Sequence, residues 1–248
     1  MSLSPRMQQI KQYLAEHGEV QIDVLANIFE VTTQTIRRDV NLLCEQGIAR
    51  RVHGGVSLPP SLSNTSFENR IDVACTVKQS IAQAIVQQIP EGATVMLGIG
   101  TSMDYVARQL VLFKSLRVVT NNLQVARTLE ASDGIEVYLS GGLIRSNYQD
   151  LVGQSTLRFF SEFEADIGII GCGSVSSSQT AMEHEPQEAE ISKAILANAR
   201  ESWLFADESK WQLNGSVKVA SLNSFSRIFT NNADVPCDLP VQQVTTNR

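Results

Sequence analysis

The 248-residue chain carries 20 Lys and Arg against 26 Asp and Glu, a formal net charge of −6, with 43% hydrophobic and 19% charged residues. This composition excludes a disordered chain, and the length favours two domains at roughly 150 residues each. No apolar run approaches the ~18 residues that a membrane span needs, and the start lacks a signal peptide's apolar core, so we expect a soluble, cytoplasmic protein without a membrane partner. The four cysteines lie far apart with no CxxC pair, which is typical of free thiols in a reducing compartment.

The negative charge belongs to the larger, C-terminal part of the chain. Residues 1–56 hold six basic and six acidic side chains, so the remaining residues carry 14 basic and 20 acidic groups. Within the neutral first segment the positive charges collect in the pairs Arg37-Arg38 and Arg50-Arg51. Because a local field decides whether a surface attracts phosphate, the acidic total does not exclude a nucleic-acid partner.

Three short helices are predicted at the start of the chain. Apolar residues at helical spacing indicate helices over residues 5–17 and 22–29, and Gly18 stands where the first should end. A third helix is predicted after Thr32 or Thr33, either of which can cap it.

The third predicted helix has two different faces. Ile36, Val40 and Leu43 recur at i, i+4 and i+7 and are predicted to be buried, and Gly47 ends the helix. The opposite face carries polar side chains that can contact phosphates or base edges, as a DNA-recognition helix does. These residues are Thr33, Gln34, Thr35, Arg37, Arg38 and Asn41.

The segment IARRVHGGVSL predicts a β-hairpin that turns at the glycine pair Gly54-Gly55. Such a hairpin would form a wing, with Arg50, Arg51 and His53 beside the groove that the helix enters. The alternative is a solvated basic surface on a structural three-helix unit. The wing and the polar helix together favour binding to double-stranded DNA.

The motifs TTQTIRRDV and RRVHGGV resemble the signature of the DeoR family of bacterial transcriptional regulators. The resemblance implies an α/β protein: an N-terminal winged helix-turn-helix joined to a mostly parallel α/β sensor domain similar to ribose-5-phosphate isomerase and other sugar-phosphate isomerases. It also implies operator DNA as a partner, a phosphorylated sugar or polyol as effector, and repression rather than activation of transcription as the usual effect. Because one reading head buries too little surface for specific affinity, we expect a homodimer or homotetramer.

The rest of the chain predicts a linker and one larger domain. Residues 1–57 form the predicted DNA-binding domain, and residues 58–75, rich in Ser and Pro near their start, form the predicted linker. From residue 76 to residue 248 helical and strand patterns alternate, which indicates a largely parallel sheet with helices on both faces. The ligand crevice of such a sheet lies beyond the carboxyl ends of its strands.

Candidate effector-binding residues follow these predicted strands. The turn GIGTS at 98–102 opens a helix, where backbone N–H groups and hydroxyls can hold a phosphate, although such small residues also serve ordinary turns. Polar or glycine residues follow the next strands, including Gly171–Gly173, and Asp207 with Lys210 supplies a charged pair or merely an exposed ion pair. The predicted effector-binding residues are Gly98, Gly100, Thr101, Ser102, Asn121, Asn122, Gly141, Gly142, Arg145, Glu188, Asp207 and Lys210.

The chain departs from the pattern that the resemblance implies at two positions. The family usually has an acidic residue where Gly98 stands, and commonly a lysine four residues after the glutamate that matches Glu188, where this chain has Ser192.

An enzyme remains the alternative to a regulator. Glu188, Asp207 and Lys210 on an isomerase-like fold could transfer protons, but a catalytic chain gains nothing evident from a DNA-reading module. The stretch HEPQE, residues 184–188, has a glutamate where a zinc helix needs its second histidine, so no metal is expected. No other cofactor is expected either.

Overall fold

The chain folds into two compact units, Met1–Thr65 and Ser66–Arg248, which are called the N-terminal and the C-terminal unit below. Most of the predicted linker and parts of the predicted wing lie outside the described residues. The computed structural model describes residues 3–45, 48–52, 55–57, 67, 71, 74–211, 213, 215–235, 238 and 240–245.

Helices pack on a small antiparallel sheet in the N-terminal unit, whose strand order is β1-β3-β2. Fully buried Ile10, Leu14 and Leu25 lie at the centre of its core. The elements are α1 (Pro5–His17), β1 (Val20–Gln21), α2 (Ile22–Ile28), α3 (Thr33–Glu45), β2 (Arg50–Val52) and β3 (Gly55–Ser57).

Helix α3 confirms the predicted division into two faces. Ile36, Val40 and Leu43 are buried, as the spacing predicts. Asp39 is also buried, at 7% exposure, and accepts a hydrogen bond from Arg6 Nε at 2.5 Å. This ion pair, which the sequence analysis did not predict, fastens α1 to α3.

Gly55 serves close packing between strands rather than the turn. It pairs with Gln21 in the register of β1 with β3, and a Cβ atom on Gly55 would lie 2.5 Å from the carbonyl oxygen of Val20. Strand β1 was not predicted, because two residues are too short to show alternation. Gly54 lies outside the described residues.

Replacing Gly55 tests this close approach. We expect Gly55→Ala to destabilise the N-terminal unit by about 2 kcal/mol, because its new methyl group meets backbone that cannot move aside. Differential scanning calorimetry of the full chain measures the loss. Gly141→Ala is the control, since a Cβ there meets nothing within 4 Å; equal effects of the two substitutions would contradict the packing role.

A parallel seven-stranded sheet forms the centre of the described C-terminal unit, in the order β15-β14-β12-β9-β4-β5-β6. Helices alternate with these strands from β4 as far as β12. Its strands are β4 (Thr94–Leu97), β5 (Leu116–Thr120), β6 (Ile135–Leu139), β9 (Ala165–Ile170), β12 (Ala199–Phe205), β14 (Arg227–Thr230) and β15 (Val241–Gln243). The helices are α4 (Cys75–Val86), α5 (Thr101–Leu110), α6 (Leu123–Leu129), α7 (Gln154–Ser161) and α8 (Pro186–Ala197).

The chain reverses its direction of travel across this sheet next to β4. It passes from β4 outward through β5 to β6, returns to β9 on the other side of β4, and continues towards β15. The carboxyl ends of β4 and β9 therefore flank a topological switch point, where open α/β sheets bind their ligands.

Two further sheets were not predicted. A hairpin of β7 (Leu143–Arg145) and β8 (Asp150–Val152) follows β6, and an antiparallel sheet joins β10 (Ser174–Val175), β11 (Thr180–Glu183) and β13 (Val217–Ser221). Most of these strands are only two to four residues long, so they show too little periodicity to be recognised. The predicted alternation of parallel strands and helices is confirmed.

No helix in the described part of the chain is long and apolar enough to cross a membrane.

Candidate DNA-binding surface and effector site

The polar face of α3 is accessible along its length. Thr33, Gln34, Arg37 and Arg38 are exposed, and neither arginine is in an ion pair with any described residue. The Thr32 hydroxyl accepts a hydrogen bond from the Thr35 N–H at 3.3 Å. Thr32 rather than Thr33 therefore caps the helix, which leaves the Thr33 side chain on the exposed face.

The wing strand β2 is joined to α3 by a side-chain contact. Arg51 Nη2 donates a hydrogen bond to Asn41 Oδ1. The contact holds two of the predicted DNA-binding residues side by side in the protein without DNA. His53 and the side chain of Arg50 lie outside the described residues.

A buried lysine lies at the switch point of the C-terminal unit. Lys78 on α4 is 5% exposed, and its Nζ donates a hydrogen bond to the Thr101 hydroxyl at 3.1 Å. Thr101 and Ser102, both buried, begin α5 directly after Gly100, whose φ of +94° favours glycine. We call Lys78, Gly100, Thr101 and Ser102 the anion cradle, because a cation, the Thr101 hydroxyl and a helix N-terminus meet there.

Lys78 is the functional candidate that the sequence analysis missed. Its signal is visible in the sequence: Lys78 shares the i, i+3, i+4, i+7 stripe of α4 with Ile81, Ala82 and Ile85, which are fully buried. A lysine on an apolar stripe must bury its charge, and a buried charge needs a partner.

Asn122 positions the cradle rather than facing a ligand. Its amide Nδ2 donates to the carbonyl oxygens of Gly98 and Gly100 at 3.4 and 3.1 Å, and its Oδ1 accepts from the first N–H groups of α6. All four hydrogen-bonding capacities of this side chain are used. Within the protein, Asn122, one of the predicted effector-binding residues, therefore supports the backbone of the cradle.

Asn121 also makes a structural contact. It is fully buried, and its Nδ2 donates to the carbonyl oxygen of Leu151 on β8 at 2.7 Å, while its own carbonyl accepts from the Leu151 N–H. This pair of hydrogen bonds fastens the β7–β8 hairpin to the end of β5.

Arg145, one of the predicted effector-binding residues, lies at the centre of a carboxylate cluster. It donates to both oxygens of Asp150, at 2.8 and 2.6 Å, and approaches Glu185 and Glu188 at 3.1 and 3.4 Å. Burial lowers the pKa of Arg145, but the hydrogen bonds and charges of its partners outweigh this and raise it. The Glu188 carboxylate also has a partner within the protein, because it forms a capping box with Glu185 at the start of α8.

Asp207 and Lys210 do not form the predicted charged pair. Buried Asp207 accepts hydrogen bonds from the N–H and the hydroxyl of Ser209, and no ion pair joins it to Lys210 in the described structure. Both flank Cys172 after β9, where burial raises the pKa of the thiol and Lys210 opposes this shift. Lys210 therefore remains near the switch point, but its charge is not bound to Asp207.

The predicted glycines differ in what they do. Gly98 directly follows β4 in a buried position, where its carbonyl oxygen accepts a hydrogen bond from Asn122. Gly141 and Gly142 are exposed, and a Cβ on Gly142 would lie 2.5 Å from the Thr156 hydroxyl. Gly142 therefore allows the hairpin to approach α7, and neither glycine contacts the cradle in the described hydrogen bonds.

A depression of about 700 Å³ lies away from these residues. Val111, Phe113 and Lys114 before β5 line one side, and Asp133 and Gly134 before β6 line the other. It therefore lies at the amino ends of the strands, opposite the end where ligands of parallel sheets bind, and we assign no function to it.

Two family models match the chain. The DeoR-like helix-turn-helix domain matches residues 6–61, and the DeoR C terminal sensor domain matches residues 74–232. The chain belongs to the DeoR family. The recognition of this family from TTQTIRRDV and RRVHGGV is confirmed.

Curated relatives match nearly the full length. The chain is 37% identical to the HTH-type transcriptional repressor CsqR of Escherichia coli over 92% of this chain and 87% of that protein. It is 36% identical to the glycerol-3-phosphate regulon repressor of the same organism, over 100% and 97% of the two chains. The latter match extends the resemblance to this family over the full chain.

Solved structures match more weakly. Ribose 5-phosphate isomerase A from Methanocaldococcus jannaschii aligns with a TM-score of 0.40 and 16% identity, over 54% of this chain and 53% of that one. The sorbitol operon regulator SorC from Klebsiella pneumoniae aligns with a TM-score of 0.42 and 14% identity, over 91% and 95%. The family assignment depends on the sequence matches instead.

These matches identify the protein as a DNA-binding transcriptional regulator. Its helix-turn-helix is the family's own, and the curated relatives with at least 36% identity are named repressors. They favour the regulator over the alternative of an isomerase-like enzyme.

The carboxylate cluster around Arg145 makes a measurable contribution to stability. We expect Arg145→Ala to lower the free energy of unfolding of the C-terminal unit by about 3 kcal/mol or more, because Asp150 and Glu188 are left buried without their cation. Urea denaturation followed by tryptophan fluorescence reports this unit alone, since Trp203 and Trp211 both belong to it. Arg200→Ala, which removes an exposed ion-paired arginine, should cost below about 1 kcal/mol. Similar losses in both variants would refute the burial argument.

Proposed function

We propose that the protein is a repressor that binds operator DNA through α3 and the wing and releases it when a phosphorylated sugar or polyol occupies the anion cradle. The observation that carries the DNA-binding part is the exposed face of α3, where two adjacent arginines have no described ion-pair partner. The cradle carries the effector part. The two parts are joined by thermodynamic linkage: an effector that prefers the unbound form of the repressor weakens its affinity for DNA.

The first proposed DNA contacts follow from the exposure of Gln34, Arg37 and Arg38 on α3. Arg37 and Arg38 can reach phosphates or guanine edges, and Gln34 can reach adenine. Arg51 and Asn41 act as a pair because they are already hydrogen-bonded. The proposed DNA-binding residues are Thr33, Gln34, Thr35, Arg37, Arg38, Asn41, Arg50, Arg51 and His53.

Alanine substitutions of the two arginines test this surface. Duplexes are first selected from a random pool with the wild-type protein, and their affinity is then measured by fluorescence anisotropy at a fixed salt concentration. We expect Arg37→Ala and Arg38→Ala each to weaken binding by about 10-fold or more, because each lost base or phosphate contact costs roughly 1–3 kcal/mol.

Lys11→Ala is the matched control for these variants. It removes the same charge from the exposed surface of α1 in the same unit and should change affinity by less than about threefold. If all three variants bind equally well, α3 is not the recognition helix.

The proposed effector carries a phosphate and hydroxyl groups. The cradle offers a buried cation, hydroxyls and the N-terminus of a ten-residue helix, which suit a phosphate. Relatives are named for the glycerol-3-phosphate regulon, which supports a phosphorylated polyol as the first compound to test. Gly98 and Asn122 support the cradle, and Lys210 lies at the neighbouring strand end as a further phosphate partner.

Substituting Lys78 tests the cradle. Glycerol 3-phosphate, sugar phosphates and inorganic phosphate are screened by thermal shift, because a ligand that binds the folded state raises its melting temperature. We expect Lys78→Met to weaken binding of the active compound by about 10-fold or more, which is the effect of one lost charge-assisted hydrogen bond. Thr101→Ala should likewise blunt the effector response and spare DNA binding.

Lys193→Met is the control for Lys78→Met, because Lys193 is exposed on α8. It should leave the thermal shift unchanged. A compound that stabilises wild type and Lys78→Met equally binds somewhere other than the cradle.

We further propose that the repressor works as a homodimer or homotetramer. A single winged helix buries too little DNA surface for high specific affinity, so two heads on paired half-sites are required. Sedimentation velocity at concentrations used for DNA binding gives the oligomeric state.

A further inference from the structure

Two residues of the predicted linker lie within the C-terminal unit and are hydrogen-bonded to its β7–β8 turn and to α5. Phe67 is 3% exposed, and its N–H donates to the carbonyl oxygen of Asn147 at 2.7 Å, in the turn between β7 and β8. The carbonyl oxygen of Ile71 accepts a hydrogen bond from the Tyr105 hydroxyl at 2.9 Å. The chain that leads to the DNA-binding domain is therefore held at two points.

Tyr105 connects one of these points with the anion cradle. It lies on α5, one turn after Thr101 and Ser102, and is 8% exposed. The Nζ of Lys78 lies 5.9 Å from the centre of the Tyr105 ring, within the range of a cation–π contact. The same lysine donates to Thr101, so Tyr105 and the cradle share one cation.

The contact of Phe67 is connected to the cradle through the β7–β8 hairpin. Asn121 bonds to Leu151 on β8, and the Leu123 N–H donates to the carbonyl oxygen of Gln149 beside the turn. Asn122, which lies between Asn121 and Leu123 in the sequence, donates its side-chain amide to the carbonyl oxygen of Gly100 in the cradle. Phe67 and Ile71 are thus each bonded to an element that shapes the proposed effector site.

We propose that Tyr105 is a positioning residue that couples occupancy of the anion cradle to the linker. An anion in the cradle draws the Lys78 ammonium to itself and weakens the attraction of that ammonium for the Tyr105 ring. The Tyr105 hydroxyl then holds Ile71 less firmly, and the linker is released. This inference rests on the proposed function, because it supplies the route by which that effector reaches the DNA-binding domain.

Tyr105→Phe isolates the hydroxyl from the ring. The phenyl ring still packs against Lys78, while the hydrogen bond to Ile71 is lost. Amide hydrogen exchange by mass spectrometry on the full-length protein, read on peptides within residues 58–74, reports how firmly the segment is held. Inorganic phosphate is the probe, against sodium chloride at equal ionic strength.

The expected results separate coupling from ligand binding. Phosphate should speed exchange of this segment about fivefold or more in the wild type, the lower end of typical allosteric coupling. In Tyr105→Phe exchange should be fast already and phosphate should add nothing, while phosphate affinity should rise by up to the same factor, because the coupling is reciprocal and the cradle is intact. Tyr138→Phe, which removes a hydroxyl from edge strand β6, should behave as wild type.

Two outcomes would overturn the inference while leaving the proposed function in place. One is unchanged exchange in ligand-free Tyr105→Phe, and the other is an equal response to phosphate in that variant and the wild type. If the wild type binds neither phosphate nor any phosphorylated polyol, the proposed effector site fails and the coupling fails with it.

Discussion

The parallel pairing of β4 with β9 on one side and β5 on the other determines what the C-terminal unit can do. It brings the carboxyl ends of these strands to one edge, where the chain also reverses its path across the sheet. Helix α5 begins at this edge, so its free N–H groups face the same space as the buried ammonium of Lys78. No single residue of the cradle indicates a ligand as clearly as this convergence does.

The parts of the fold with long periodic patterns could be predicted from the sequence. The buried face of α3 at Ile36, Val40 and Leu43, and the alternation of strands and helices after residue 76, follow from spacing alone. The two-residue strand β1 and the β7–β8 hairpin could not be predicted in this way. Their positions depend on contacts with distant residues, such as Gly55 against Val20, which no local pattern encodes.

The candidate residues lie at the predicted strand ends, but the sequence did not predict the hydrogen bonds that several of their side chains make within the protein. Arg145 follows a strand end in sequence, yet the hairpin aims it at Asp150 and Glu188, so its charge is neutralised within the protein. The side-chain amide of Asn122 likewise has a partner within the protein, because it donates to the backbone carbonyl oxygen of Gly100. Sequence position places a residue near a site, whereas its hydrogen-bond partners decide whether its charge or dipole remains available to a ligand. Lys78 was missed for the opposite reason: it lies on the apolar stripe of a helix rather than at a strand end, and was not considered as a ligand.

The ion pair between Arg6 and Asp39 limits how the N-terminal unit can bind a polyanion. The charge of Arg6 is neutralised by the Asp39 carboxylate within the unit. At most about five of the six lysines and arginines of this unit therefore remain to displace counterions from a duplex. For two units the logarithm of the affinity would then fall with the logarithm of the salt concentration with a slope no steeper than roughly −9. With an electrostatic contribution of this size, the occupancy of a DNA site by the repressor would depend on the ionic strength of the cell.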